Sequence, residues 1–367
     1  MSRKVYVHVG APKTGTTYLQ DRLARNSRSL ATHDVHIPTR APLMSTGMFH
    51  FRAALDLMRQ DWGGAPGHAE GAWDAMVRRV RRARGTAIIS HEILAPAAPE
   101  YVARLKSDLA DAGSTEIHIV YSARDLARQA PAGWQESVKQ GRRWKYGRYL
   151  SRVRNAHPWF ARAFDLPTVL SNWGSGLPPE HVHVVTVPQA DAVDADPDLL
   201  WHRFCRAFDI DPEWAPEDSD RANASLGSAE TQVLRALNER IGRTTRNHPG
   251  YDALILGMLA DESLGGRDSS PILLPPALWD WARERGAEWG EWLEQSGVDI
   301  VGDLGDLLPE PWPDGHKFKH PDRVSHKAQL RAALDALAAM TEEAASRPDP
   351  DASMLARIRR AREAYKR

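Results

Sequence analysis

Gly10, Lys13, Gly15, Thr16 and Thr17 stand together in the run VHVGAPKTGTTYLQ. Glycines at this spacing make a turn whose backbone N–H groups gather around an anion. If a helix begins just beyond, its N-terminus adds partial positive charge. Lys13 adds a full point charge, and the threonines add hydroxyl donors. A nucleoside-triphosphate loop reads G-x-x-x-x-G-K-[ST], its lysine serving the β- and γ-phosphates and its hydroxyl holding magnesium. Gly10 and Gly15 keep that glycine spacing, but the lysine sits in mid-loop and Thr16 follows Gly15 directly. Later strand-like runs lead into Ser90 and Arg124 rather than into a magnesium-holding aspartate. The residue types suit a shorter anion, held by lysine and amides without a metal.

The elements that must position this loop follow from periodicity. Val5, Val7 and Val9 alternate with Tyr6 and His8, which predicts a strand feeding the turn. Tyr18, Leu19, Leu23 and Leu30 recur at helical spacing after it. Further strands are predicted at 85–90, 116–123 and 181–187. Helices are predicted in AWDAMVRRVRRAR and over 97–112, 125–141 and, with breaks, 158–172. Strands alternating with helices predict an α/β fold, a parallel sheet with helices on both faces. Ligands of such sheets lie at the carboxyl ends of the strands. The loops after Val9, Ser90 and Ala123 are therefore expected to converge. From about Asp196 the strands are expected to stop and helices to take over, broken by loops at 211–225 and 261–276. RPDPDAS near 347 is expected to split the last helix. The reading is one unit over 1–367, with an α/β core (1–195) and a mainly helical remainder (196–367). Residues 38–72 read as a long loop of the lid or binding type, where acceptor specificity would reside.

PKTGTTYLQ (Pro12 to Gln20), with its strand and helix, resembles the 5′-phosphosulfate loop of sulfotransferases that use 3′-phosphoadenosine 5′-phosphosulfate (PAPS). The resemblance implies a P-loop NTPase-like fold, PAPS as donor and no metal. It assigns Pro12, Lys13, Thr14, Gly15, Thr16 and Thr17 to the donor, with Lys13 also catalytic. The family's 3′-phosphate site opens with an arginine after a strand, and Arg124 stands in that place. A guanidinium fork suits a phosphate because it binds two oxygens together. The family commonly adds a serine eight residues on, where this chain has Ala132. Trp134, Gln135 and Ser137 are the nearby substitutes. Arg221, in DRANASLG, is the best candidate for the basic segment that some members lay over the 3′-phosphate. The resemblance covers about the first 140 residues well and the rest loosely.

Sulfuryl transfer would go to an acceptor hydroxyl or amine, and an attacking hydroxyl also needs a base. SHEILAP supplies His91 and Glu92; a histidine near neutral pKa or a glutamate raised by burial would serve. Capping is the plainer role for both. His8, inside a strand, reads as a satisfied core histidine. Among aromatic residues, Trp144, Trp159 and Trp173 are candidates for stacking on an acceptor. Trp279, Trp281, Trp289 and Trp292 recur at near-helical spacing and read as core. Lys139, Arg142 and Arg143 read as mostly solvated charges.

Composition frames these readings. The chain has 367 residues, 42% hydrophobic and 26% charged, with zero formal net charge. That balance gives no field that selects nucleic acid. The single cysteine, Cys205, forms no internal disulfide and reads as core packing. No apolar run approaches the roughly 18–20 residues of a membrane span, so no integral membrane association is expected. The N-terminal run is too interrupted for a signal peptide, which points to the cytoplasm. The expected partner is a small-molecule or carbohydrate acceptor, with homo-oligomerisation left open. Two other readings compete with transfer from PAPS: a small-molecule kinase or NTPase with an eccentric loop, and a sulfotransferase-like binder of nucleotide that has lost catalysis.

Overall fold

The computed structural model describes residues 3–40, 43–110, 115–221, 225–246, 249–312 and 317–347. The strands are β1 (Arg3–His8), β2 (Val35–His36), β3 (Thr86–Ser90), β4 (Thr115–Ala123), β5 (Val182–Thr186) and β6 (Asp299–Val301). They form one sheet in the order β2-β3-β1-β4-β5-β6, every neighbouring pair parallel. Helices α1 (Thr16–Arg25) and α2 (Ser27–Thr32) follow β1; α3 (Thr46–Leu57) and α4 (Ala72–Arg82) follow β2; α5 (Pro99–Leu109) follows β3. After β4 come α6 (Leu126–Lys139), α7 (Tyr146–Arg154), α8 (Pro158–Phe164) and α9 (Leu166–Gly174). Between β5 and β6 lie α10 (Ala190–Ala195), α11 (Leu199–Phe208), α12 (Ser228–Arg240), α13 (Arg243–Arg246), α14 (Pro249–Asp252) and α15 (Trp279–Ser296). Helix α16 (His326–Ser346) comes last.

The alternation of β1 explains the two-faced core. Val5, Val7 and Val9 enter one cluster, with Phe49 of α3, Met76 of α4 and Trp134 of α6. Tyr6 enters the other, with Leu19 and Leu23 of α1 and Trp201, Phe204 and Phe208 of α11. Leu19 and Leu23 lie one turn apart on α1, so both reach the sheet. Each is worth roughly 1.5–3 kcal/mol when removed from water. Cys205 is buried in the same cluster.

Four of the six strands lie where alternation predicted them. The expectation that strands stop at Asp196 is corrected: β6 pairs with β5 near residue 300 and extends the sheet. Helix α11 covers the same sheet, so chain beyond 195 is built into the α/β core. The loop expected over 38–72 contains α3, capped by Ser45, whose side chain accepts from the Met48 N–H at 3.3 Å. The loop expected over 261–276 begins inside a π-helical stretch, Ala253–Ser263. Helix α16 ends at Ser346, and the second half of the expected split helix lies outside the described residues. Among the described residues no helix is long and apolar enough to cross a membrane.

Candidate functional site

Strand β1 delivers the loop at the sheet's carboxyl edge, and the neighbouring strand β4 braces it. The Val9 and Ala11 N–H groups donate to the carbonyls of Val120 and Ser122 at 3.0 and 2.9 Å. The Ser122 hydroxyl donates to the Gly10 carbonyl at 3.0 Å. The Thr14 hydroxyl donates to the Ala11 carbonyl at 2.6 Å and packs on the Ser122 hydroxyl. Thr14 therefore turns inward: its side chain builds the loop, which leaves only its backbone N–H for an anion. Gln129 donates to the Pro12 carbonyl at 3.2 Å from α6.

Two glycines are required by geometry. Gly10, at φ +113°, lets the Glu92 backbone approach, since a Cβ there would sit 3.4 Å from the Glu92 Cα. Gly15, at φ +86°, turns the chain left-handed into α1, and a Cβ there would sit 2.9 Å from Leu200 Cδ2. It offers no capping side chain, and the first turn of α1 carries no acid. The positive end of the helix thus stays open to an anion. Thr17 is exposed at that end and Thr16 is buried. Lys13 is half-buried, its Nζ 3.4 Å from Glu136 Oε2 on α6.

The loop after β3 comes to the same edge. His91 donates its N–H to the His8 carbonyl at 3.1 Å, and Gln20 of α1 donates to Glu92 Oε2 at 2.9 Å. His91 Nδ1 accepts from the Ile93 N–H at 3.3 Å, so the ring caps the 3-10 turn Glu92–Leu94. In its neutral form the ring then carries its proton on Nε2. Burial pushes the His91 pKa down, with the Glu92 charge opposing. Burial works against the Glu92 charge, but His91, a backbone hydrogen bond and the Gln20 amide outweigh it and hold the carboxyl below its usual range. The result is an ionised carboxylate beside a neutral ring. His8 is fully buried between the Ser90 hydroxyl at 2.8 Å and the Ser122 hydroxyl at 3.3 Å, a core histidine as expected. On the outer side, the Phe51 ring of α3 lies 5.3 Å from His91 and 5.2 Å from Trp62. The segment expected to carry acceptor specificity thus borders His91, through helix α3 and the loop that follows it.

Arg124, at the end of β4, joins the loop to a cavity. Its Nη1 donates to the Lys13 carbonyl at 3.1 Å, while its buried Nε has no hydrogen-bond partner among the described residues. Burial and then Arg128 lower its pKa to about 10, so it stays charged at neutral pH. The cavity beside it, about 420 Å³, is walled by α6, by 225–227 and by Trp279 and Trp312. These two rings meet edge to face at 5.1 Å. Ala132 lines it, as does Gln135, whose amide donates to the Leu226 carbonyl at 2.6 Å. The other substitutes for a serine are committed elsewhere: Trp134 Nε1 donates to Trp144 at 2.9 Å and the Ser137 hydroxyl to Trp134 at 2.7 Å. Ser225 and Ser269, remote in sequence, reach the cavity instead.

Arg221 is exposed, and its Nε lies 3.7 Å from Asp21 on α1. Residues 222–224 lie outside the described chain, and 225–227 beyond them form cavity wall. The tryptophan expectations divide. Trp289 is buried as core, whereas Trp279 is half-buried and lines the cavity. Trp173 is fully buried and unable to stack on an acceptor, Trp159 is exposed, and Trp144 lies against the Arg142 and Arg152 guanidinium groups.

The sequence pointed to the loop, Arg124 and the Glu92 turn, but missed Gln20, Ser122, Phe51 and Trp312. Gln20 alone left a signal, one turn beyond Thr16 on the predicted helix. Comparison of the chain with protein-family models, with curated proteins and with solved structures returns no match.

Proposed function

We propose that the protein is a PAPS-dependent sulfotransferase with a P-loop-like core, acting on a hydroxyl acceptor. The observation that carries this reading is the convergence at one sheet edge. The Lys13 loop and the uncapped start of α1 meet the Glu92 turn, which packs against Gly10 and is held by Gln20 of α1. Arg124 links that site to the cavity walled by Trp279 and Trp312. An anion at the loop, a second phosphate at the orphaned Arg124 donor and a flat base between aromatic walls match the parts of the donor in order.

In the proposed reaction the bond from sulfur to the donor's phosphate oxygen breaks as the acceptor oxygen bonds to sulfur. Lys13 and the loop amides meet the charge that grows on the departing phosphate oxygen. Glu92 takes the acceptor proton; Gln20 fixes its orientation. His91, protonated on Nε2 when neutral, is a donor and positions the turn. The Phe51–Trp62 edge offers the acceptor an apolar wall.

Two measurements test the reading. Calorimetry compares adenosine 3′,5′-bisphosphate with ATP–Mg²⁺: the bisphosphate binds without metal and more tightly. Lys13→Ala then lowers sulfuryl transfer by about 10²–10³-fold with an unchanged circular-dichroism spectrum. Preference for ATP–Mg²⁺, or undiminished turnover in the folded variant, defeats the proposal.

A further inference from the structure

At the opposite edge of the sheet, β4 opens with Glu116-Ile-His118 and β5 is entered through His181-Val-His183. Alternation puts Glu116 and His118 on one face of β4, and the 3-10 turn Pro179–His181 leads His181 into β5 beside them. The two pairs meet: the His118 and His181 rings stack at 4.3 Å. Ligand atoms of Glu116, His118 and His181 all lie within 4.8 Å of one another.

Hydrogen bonding fixes the protons. His183 Nδ1 donates to Asp299 Oδ2 of β6 at 2.7 Å, because a carboxylate only accepts. In neutral His183 the Nε2 therefore carries a lone pair. His118 Nδ1 lies 2.9 Å from that nitrogen and must donate to it. His118 Nε2 is left bare, buried and without a hydrogen-bond partner among the described residues. It faces Glu116 Oε2 at 3.8 Å, lone pair toward carboxylate. A positive ion between them removes the conflict. The arrangement Asp299–His183–His118 is the outer support that metal-ligating histidines use to fix tautomer and raise basicity.

We propose that Glu116, His118 and His181 bind one divalent transition-metal ion of the zinc class. Two imidazoles and a carboxylate favour such an ion over calcium or magnesium. Metal–ligand bonds of about 2.0–2.2 Å require the three atoms to draw somewhat closer. Glu116 and His181 are only half-buried and close by rotation of their side chains. Lys4 is the positive charge near His118, and Asp209 pairs with it at 2.8 Å. Water completes the coordination on the open side. The ion ties β4 to the entry of β5, away from the donor loop.

The test is equilibrium dialysis and calorimetry of the metal-stripped full chain with zinc sulfate alone. One equivalent binds the wild type. His181→Ala, at a half-exposed position, lowers affinity at least 100-fold while circular dichroism stays native. Asp299→Asn lowers it about 10–100-fold through the relay. Zinc raises the melting temperature of the wild type and not of His181→Ala. Absence of zinc binding by the wild type, or wild-type affinity in His181→Ala, overturns the proposal.

Discussion

Glu92 and His91 are adjacent, yet their surroundings assign them different work. The His91 lone pair is spent on the Ile93 N–H, while Glu92 stays ionised with Gln20 fixing one oxygen. The two predict different pH profiles. A His91 base would lose activity as pH falls to a point below the free-imidazole value of about 6.5, because burial lowers its pKa. With Glu92 as base, the rate stays level there and falls only below the ordinary glutamate range of about 4.3, because its folded pKa is depressed. Glu92→Gln should lower kcat by about 10²–10⁴-fold with little change in bisphosphate affinity. His91→Gln should cost less than tenfold, by about the standard of a positioning residue. An acid-side inflection below the free-imidazole value that vanishes in His91→Gln would transfer the role to the histidine. Arg124→Lys replaces a fork by a point charge. Bisphosphate affinity should drop by about 1.5–3 kcal/mol, measured by calorimetry; equal affinity would remove Arg124 from the donor site.

At the scale of elements, the start of α1 is the part on which the proposed donor binding most directly depends. Gly15→Ala places a Cβ in the left-handed region and against Leu200 of α11. The left-handed conformation alone costs about 1–2 kcal/mol. Chemical denaturation should show at least that loss, and anion affinity should fall with it because the leading N–H groups re-aim. A variant as stable and as avid as wild type would refute this role for the turn. The same element was the most legible one in the sequence. Strand β1 repeats a β-branched residue at every second position and ends at a glycine, and the leucines of α1 recur one turn apart. Strands β2 and β6, two and three residues long, are too short to display a period. Helix α3 was hidden by Gly47 in its first turn, although Phe49, Ala53 and Leu57 are buried one turn apart along it. The cavity beside Arg124 was illegible for another reason. Its walls, Ser225, Ser269, Trp279 and Trp312, come from separate segments that only tertiary packing brings together.

Across the whole molecule, buried histidines couple stability to acidity. Burial lowers the pKa of both His8 and His50 to about 4. His50 accepts from the Ser90 N–H at 3.1 Å and donates to the Pro38 carbonyl at 2.8 Å, pinning α3 to the sheet. Unfolded histidine takes up its proton near 6.5, so as pH falls the unfolded chain is protonated first. Stability is lost between about 6.5 and 4, by about 3 kcal/mol for each group. Denaturant titrations at pH 7, 5.5 and 4.5 should show that decline, shallower in His50→Gln; equal stability at all three pH values would exclude it. Strand β6 carries the last consequence. The edge of the sheet beside β5, and the tryptophan walls of the cavity, arrive from residues near 300. At translation rates of about 5–20 residues per second, the ribosome exposes β5 for roughly ten seconds before its outer neighbour is synthesised. During that interval the nascent chain presents an open parallel edge, which makes this step of synthesis the point at which a chaperone would have most to protect.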